Sequence, residues 1–186
     1  MRIISGQYAR RSLKSPSWTG VRPLLSRLRR ALFDTLEPYL MRGPFLDLFG
    51  GTGAFAIEAL SRGAPMATVI ELDPRTLRLI KDNCTNIHVA EPVSLIQADA
   101  LAHIPTLKQK QQQFAVIAIA PPYNQDLEHT TLALLDQNYN ILQTDGLAFV
   151  QHPSDLLLTY SPQHLQIWDT RRYGATQFSY FCRRSS

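Results

Sequence analysis

The chain has 186 residues, 45% of them hydrophobic and 18% charged, with a formal net charge of +4. That length suits one α/β domain and leaves no room for two independent catalytic units. Polar or charged residues break every apolar stretch before the roughly 18–20 residues a membrane-crossing helix needs, so no spanning segment is expected. The opening Met1-Arg2-Ile3-Ile4-Ser5-Gly6 lacks the apolar run of a secretory signal, and Cys84 and Cys182 have no metal-ligand spacing. A reducing cytoplasm is expected, with both thiols acting as packing groups.

Basic residues crowd the front. Arg2, Arg10, Arg11, Lys14, Arg22, Arg27, Arg29 and Arg30 all precede Asp34, the first acidic residue. Charge alone is compatible with a polyanion contact and equally with a solvated face. Arg2-Ile3-Ile4 and Ser12-Leu13-Lys14 are expected to pair as a small basic hairpin, followed by a Pro- and Ser-containing linker through Arg22-Pro23. Residues 1–24 are therefore read as a basic extension and 25–186 as the main domain. A helix is predicted from Ser26. Its apolar positions Leu28, Ala31, Leu32, Leu36 and Tyr39 recur every three or four residues, leaving Arg27, Arg29 and Arg30 mostly off the stripe.

The middle of the chain alternates between strand-like and helix-like segments. Short apolar runs at Phe45 to Phe49, Ala67 to Leu72, Val93 to Ala98, Phe114 to Ala120 and Leu147 to Gln151 read as strands. Helices are predicted after Gly53, from Pro74 to about Ile87, and from Leu127 to about Leu135; Pro74 suits a first helical turn. This alternation implies a mostly parallel sheet with helices on both faces. Lys108 to Gln113 reads as a solvated loop, and Asp145-Gly146 as a turn into the next strand. Leu165 to Tyr173 and Thr176 to Cys182, flanking Gly174-Ala175, read as a closing antiparallel hairpin.

Phe45-Leu46-Asp47-Leu48-Phe49 runs straight into Gly50-Gly51-Thr52-Gly53 and then into a helix-like segment. Glycines at such a turn let backbone approach a ligand closely and supply positive φ. About twenty residues on, Glu71 ends the next strand, where an acidic side chain can accept hydrogen bonds from a ribose diol. Asp99 follows the third strand, placed to reach an adenine amino group. The spacing departs from the Gly-x-Gly-x-x-Gly of dinucleotide folds. Asp47 suits a cationic or amino-bearing ligand, where a phosphate would be repelled. Glycine and aspartate are also ordinary turn residues, so the pairing of the turn with Glu71 and Asp99 matters more than the glycines alone.

At the end of the fourth strand stands Ala120-Pro121-Pro122-Tyr123. Proline ends a ladder in any protein, but an aromatic just beyond a strand's carboxyl end is placed to stack on a base. His88, His103, His129, His152 and His164 show no ligand spacing, and no metal is expected.

The chain resembles the RsmD-type methyltransferases, which modify the exocyclic amine of a guanine in small-subunit ribosomal RNA. The residues that carry the resemblance span nearly the whole chain: Arg2-Ile3-Ile4-Ser5-Gly6, Arg22-Pro23, Ala31-Leu32-Phe33, Leu46 to Gly53, Glu58 to Ala64, Glu71-Leu72-Asp73, Pro121-Pro122-Tyr123 and Tyr173-Gly174. It implies a Rossmann-like, seven-stranded methyltransferase sheet with a reversed final strand. The implied cofactor is S-adenosylmethionine, held by Asp47, Phe49, Gly50, Gly51, Gly53, Glu71, Leu72, Asp99 and Ala100. The implied substrate site is Ala120, Pro121, Pro122 and Tyr123, with RNA phosphates held by Arg10, Arg11, Lys14 and Arg22.

The match has departures. Relatives carry Asp or Asn where this chain has Ala120, Thr where it has Leu24, and Glu where it has Arg30. Losing one aligned acceptor for the target amine costs roughly 1–3 kcal/mol, about ten- to a hundredfold in rate. The expected partner is ribosomal RNA or an assembling small subunit, and the expected state is a monomer. Two alternatives stay open: a cofactor- and RNA-binding assembly factor without transfer activity, and a DNA adenine-N6 methyltransferase, for which no target-recognition segment is visible.

Overall fold

The computed structural model describes residues 1–16, 24–122, 126–159 and 161–184. Its centre is a seven-stranded sheet in the order β3-β2-β1-β4-β5-β7-β6. The strands are β1 (Phe45–Asp47), β2 (Ala67–Glu71), β3 (Val93–Gln97), β4 (Phe114–Ile119), β5 (Leu142–Pro153), β6 (Leu165–Tyr173) and β7 (Thr176–Arg183). The first five pair in parallel, and β7 runs antiparallel between β5 and β6. Every residue of β1 and β4 is buried, as expected of strands covered on both faces. The chain leaves β1 toward β2 on one side and returns through β4 on the other, which opens a crevice at the carboxyl ends of these strands.

Among the described residues five α-helices cover the sheet: α1 (Ser26–Leu40), α2 (Ala54–Ser61), α3 (Pro74–Asn86), α4 (Ala100–Gln109) and α5 (Leu127–Gln137). Helix α1 buries Leu28, Leu32, Phe33, Leu36 and Leu40 against the face formed by Val116, Ala118, Leu147, Phe149, Phe178 and Tyr180. The opposite face, with Ile117, Ile119, Ala148 and Val150, packs against Ile104, Leu107, Leu132 and Leu135. Asp73 caps α3 by accepting from the Arg75 N–H at 2.8 Å, with Pro74 in the first turn. Asp99 caps α4 by accepting from Leu101 and Ala102.

The front segment forms a short antiparallel loop, with a bridge between Arg2 and Ser12 and a bond from Ile3 N to Arg11 O. Ile3, Tyr8 and Leu13 bury against Ala54, Ile57 and Ile87. Three sequence expectations need correction. Lys108 and Gln109 belong to α4 rather than to a loop. Asp145-Gly146 lies inside β5, where the ladder jumps from Phe114↔Leu142 to Val116↔Leu147. A Cβ on Gly146 would sit 2.9 Å from the Ala115 carbonyl oxygen, so this glycine permits close passage of two strands rather than a turn. Arg29 points into the core. It is 0% exposed, its Nε lies 3.7 Å from Glu58 Oε2, and its guanidinium donates to the Arg2 carbonyl. It is therefore a buried charge partner and unavailable to phosphate.

Candidate cofactor and substrate site

A cavity of 550 Å³ opens at the carboxyl ends of the parallel strands. The loop after β1 contributes Leu48, Phe49, Gly50, Gly51 and Thr52; the ends of β2 and β3 contribute Glu71, Leu72, Asp99 and Ala100; the end of β4 contributes Ala120, Pro121 and Pro122. These residues, far apart in sequence, meet because parallel strands all end on the same side of the sheet. Tyr123 and Arg22 lie outside the described residues.

The glycine turn is held from behind. Gly50 N donates to the Ile70 carbonyl at 2.9 Å and Gly53 N to the Gly50 carbonyl at 2.8 Å. A Cβ on Gly50 would fall 2.5 Å from Val69 Cγ1, and one on Gly53 2.8 Å from Ile80 Cγ2. At both positions the protein's own core demands glycine, and Gly53 sits behind the cavity wall. Gly51 differs. It lines the cavity with φ of 53° and donates its N–H to Glu71 Oε2 at 2.9 Å.

Glu71 thus braces the turn it faces. Its second oxygen accepts from the Asp73 N–H at 2.9 Å. A carboxylate offers about four lone-pair sites, so two neutral hydroxyls can still be received. Leu72, 64% exposed, presents an apolar surface beside it. Glu71, Asp73 and Asp99 stand around the opening with Arg75, whose Nη2 is bonded to Asp73 at 2.7 Å, while Arg29 is buried beside Glu58. This charge distribution suits a cationic nucleoside better than a pyrophosphate.

Asp47 is also behind the wall rather than in it. Its Oδ1 accepts from Phe49 N–H at 3.3 Å, while Oδ2 is buried with no hydrogen-bond partner. Burial pushes its pKa up to about 8, against a smaller opposing pull from the Phe49 N–H. The native state therefore holds a proton that the unfolded chain releases near pH 4. Stability from the protonated form is complete below about pH 4 and is lost as pH rises through about 8. Asp47→Asn should flatten the pH dependence of the urea midpoint between about pH 5 and about pH 8 and stabilise the protein at the alkaline end. Equal slopes in variant and parent would refute a raised carboxyl.

Of the basic candidates, Arg10 and Lys14 have exposed side chains. Arg11 is engaged: its guanidinium donates to the Ile87 carbonyl and lies 5.2 Å from the centre of the Tyr8 ring. Sequence reasoning missed Phe55 and Gln151, which also line the cavity. It also missed Glu58, whose one clue was an acidic residue inside the otherwise apolar Ala54 to Leu60. Among the described residues no three His, Cys, Asp or Glu side chains gather as a metal site, and no helix is long and apolar enough to cross a membrane.

The family model described as Conserved hypothetical protein 95 matches residues 1–182. The chain belongs to this family, the RsmD-type methyltransferases. It is 34% identical over 158 residues to the ribosomal RNA small subunit methyltransferase D of Haemophilus influenzae, covering 83% of this chain and 80% of that one. The corresponding Escherichia coli K12 methyltransferase is 32% identical over 151 residues, covering 81% and 74%. The solved structure of the Escherichia coli protein yhhF matches with a TM-score of 0.87 at 27% identity, over 100% of this chain and 99% of that one. The sheet is thus the Rossmann-like methyltransferase fold, and this family member is a methyltransferase by descent.

Proposed function

We propose that this methyltransferase moves the methyl group of S-adenosylmethionine to the exocyclic N2 amine of a guanine in small-subunit ribosomal RNA. One observation carries the reading: an acid-rimmed, partly apolar cavity ends at Ala120-Pro121-Pro122 in a chain that belongs to the RsmD-type family. Ribosomal RNA as substrate is supported by the names of the Haemophilus influenzae and Escherichia coli relatives. Residues 1–24 as an RNA-contacting extension, and a cytoplasmic location, belong to the same proposal.

Bound S-adenosylmethionine supplies an electrophilic methyl group on a sulfonium. Glu71 would accept from its ribose hydroxyls, Leu72 and Ala100 would offer apolar surface to its purine, and Asp99 would receive its amino group. Asp47 and Gly53 hold the turn from behind, so that Phe49, Gly50 and Gly51 keep their places. The Pro121 carbonyl accepts one hydrogen of the target amine and Tyr123 stacks on the guanine. Together they restrict the nucleophile to in-line approach, which lowers the barrier by removing rotational freedom before reaction. The base must leave its stack to reach this depth.

The test is incubation with methyl-labelled S-adenosylmethionine and, separately, unmodified small-subunit particles, naked ribosomal RNA and duplex DNA, followed by location of the label. Label on guanine N2 in ribosomal RNA is expected; label in DNA alone would overturn the assignment. Ala120 favours one rival reading, an assembly factor that binds without transfer. Cofactor binding with no label in any substrate would establish that rival.

Arg10 and Lys14 are proposed to contact phosphate, with Arg22 as a further candidate and Arg11 mainly tying the extension to α3. Neutralising both Arg10 and Lys14 should reduce the slope of log affinity against log salt by about 2, measured by RNA titration. An unchanged slope would mean that both side chains are merely solvated.

A further inference from the structure

The edge of the sheet beside α1 carries an unusual surface. β6 is the outermost strand, and its Asp169 and Arg171 pair with Tyr180 and Phe178 of β7. Both of those rings belong to the core under α1, so Asp169, Arg171 and, two residues on, Tyr173 stand on the α1 side. The register shift between Ile167 and Asp169 leaves Trp168 as an extra residue on the strand. Its ring reaches the same side, edge-on to Tyr39 at 6.3 Å and to Tyr180 at 5.9 Å, yet the residue remains 46% exposed.

α1 supplies the facing column. Thr35 Oγ1 accepts from Arg171 Nη1 at 2.6 Å, one turn before the Tyr39 that meets Trp168, and the Arg42 guanidinium lies 4.9 Å from the Tyr39 ring centre. Helical spacing carries the line back from Thr35 through Ala31 to Arg27, about 18 Å of helix from Tyr39. This upper end opens on the cavity. Leu24, just before α1, lines it; on the β6 side the Tyr173 ring lies 5.9 Å from that of Phe178, whose β5 partner Gln151 lines it too.

Cations and rings alternate down this face: Arg27, Tyr173, Arg171, Trp168 and Arg42. Arg171 and Arg42 are each bonded to a carboxylate, Asp169 and Asp145. Asp34 and Glu37, on the outer side of α1, are turned to Arg62. Arg27 and Arg30 are exposed and give the upper half its net positive charge. A plain polyanion needs no rings and an apolar protein surface needs no row of guanidiniums. A single-stranded nucleic acid offers phosphates and open base faces together.

We propose that this face is a track for the unpaired RNA strand beside the target nucleotide, with Trp168 stacking on a base and Arg27 and Arg30 holding phosphates. The inference rests on ribosomal RNA as the substrate, as read above. It gives the enzyme a hold on nucleotides outside the cavity, so that a strand with unstacked bases is preferred to a duplex.

The test is titration of a labelled oligouridylate of about ten nucleotides, a duplex RNA of the same length and inorganic polyphosphate. The parent should prefer the oligouridylate to the duplex. Trp168→Thr should weaken oligouridylate by roughly five- to a hundredfold and leave polyphosphate unchanged, while Trp168→Phe, which keeps a ring, should retain most of the affinity. On unmodified small-subunit particles Trp168→Thr should raise KM with little change in kcat. Arg27→Gln/Arg30→Gln, on the solvent side of α1, should reduce the salt slope for oligouridylate by about 1–2. Calorimetry with S-adenosylmethionine checks that each variant is folded. Unchanged oligouridylate affinity in folded Trp168→Thr, an equal loss for polyphosphate, or a parent that ignores oligouridylate would each overturn the track. So would sedimentation of the parent as a dimer that Trp168→Thr dissolves, which would assign the face to a second copy of the chain. Oligouridylate binding involves no transfer, so these failures leave the methylation reading standing; a parent that binds oligouridylate and labels no ribosomal RNA tells against that reading alone.

Discussion

Replacing Glu58 with alanine should destabilise the protein by about 3–5 kcal/mol, read as a fall in the urea midpoint at constant m-value. Glu58 is 0% exposed in the middle of α2. One carboxylate oxygen accepts from the Ile4 N–H at 2.9 Å, the other from the Ser5 N–H at 3.0 Å. Arg62 Nε approaches at 3.1 Å and Arg29 Nε at 3.7 Å. Burial already lowers the Arg29 pKa, an effect that Glu58 opposes and the like charge of Arg62 reinforces. Removing Glu58 would leave a buried guanidinium without its counter-charge and two backbone donors without an acceptor, which is the costly way to break an ion pair. It would also loosen residues 1–14 from α2. Exchanging Arg29 for methionine in the same protein should recover much of the loss, because removing both buried charges spares the desolvation penalty. A loss below about 1 kcal/mol would place this cluster with solvated surface pairs.

The second large effect concerns Glu71. Glu71→Ala should weaken S-adenosylmethionine and its demethylated product alike, by roughly ten- to a hundredfold in calorimetric Kd, or about 1.4–2.8 kcal/mol. Two causes add. The variant loses acceptors for the ribose, and it releases the Gly51 and Asp73 N–H groups that the carboxylate holds at 2.9 Å, so the turn loosens before any ligand arrives. Hydrogen bonds to a charged group contribute more than neutral ones. Both ligands share the ribose, so their affinities should fall in parallel, and kcat at saturating cofactor should change little, as for uniform binding. Unaltered affinity would remove Glu71 from the cofactor site.

The site was legible where chemistry coincides with a strand end. Glu71 and Asp99 stand where apolar runs stop, and parallel topology brings such ends together whatever the sequence distance. The reasons for individual residues were less visible. Gly50 and Gly53 read as ligand-facing glycines, yet Val69 and Ile80 on neighbouring elements dictate them. Arg29 lies off the apolar stripe of α1 and read as a lesser candidate for phosphate contact; only the distant Glu58 explains its burial. Asp145-Gly146 carries strong turn chemistry, yet it lies inside β5 at the irregularity where the β4 ladder jumps from Phe114↔Leu142 to Val116↔Leu147.

The position of β7 sets a condition on biosynthesis. Because β7 lies between β5 and β6, the strand made earlier has no place in the sheet until the later one arrives. A nascent chain halted before Thr176 would display β5 as an open edge, with β6 detached and nothing to shield the bare backbone groups from a neighbouring polypeptide. Closure therefore waits for residues 176–183, and lesions that interrupt translation upstream of them should yield aggregation-prone fragments rather than a shortened enzyme.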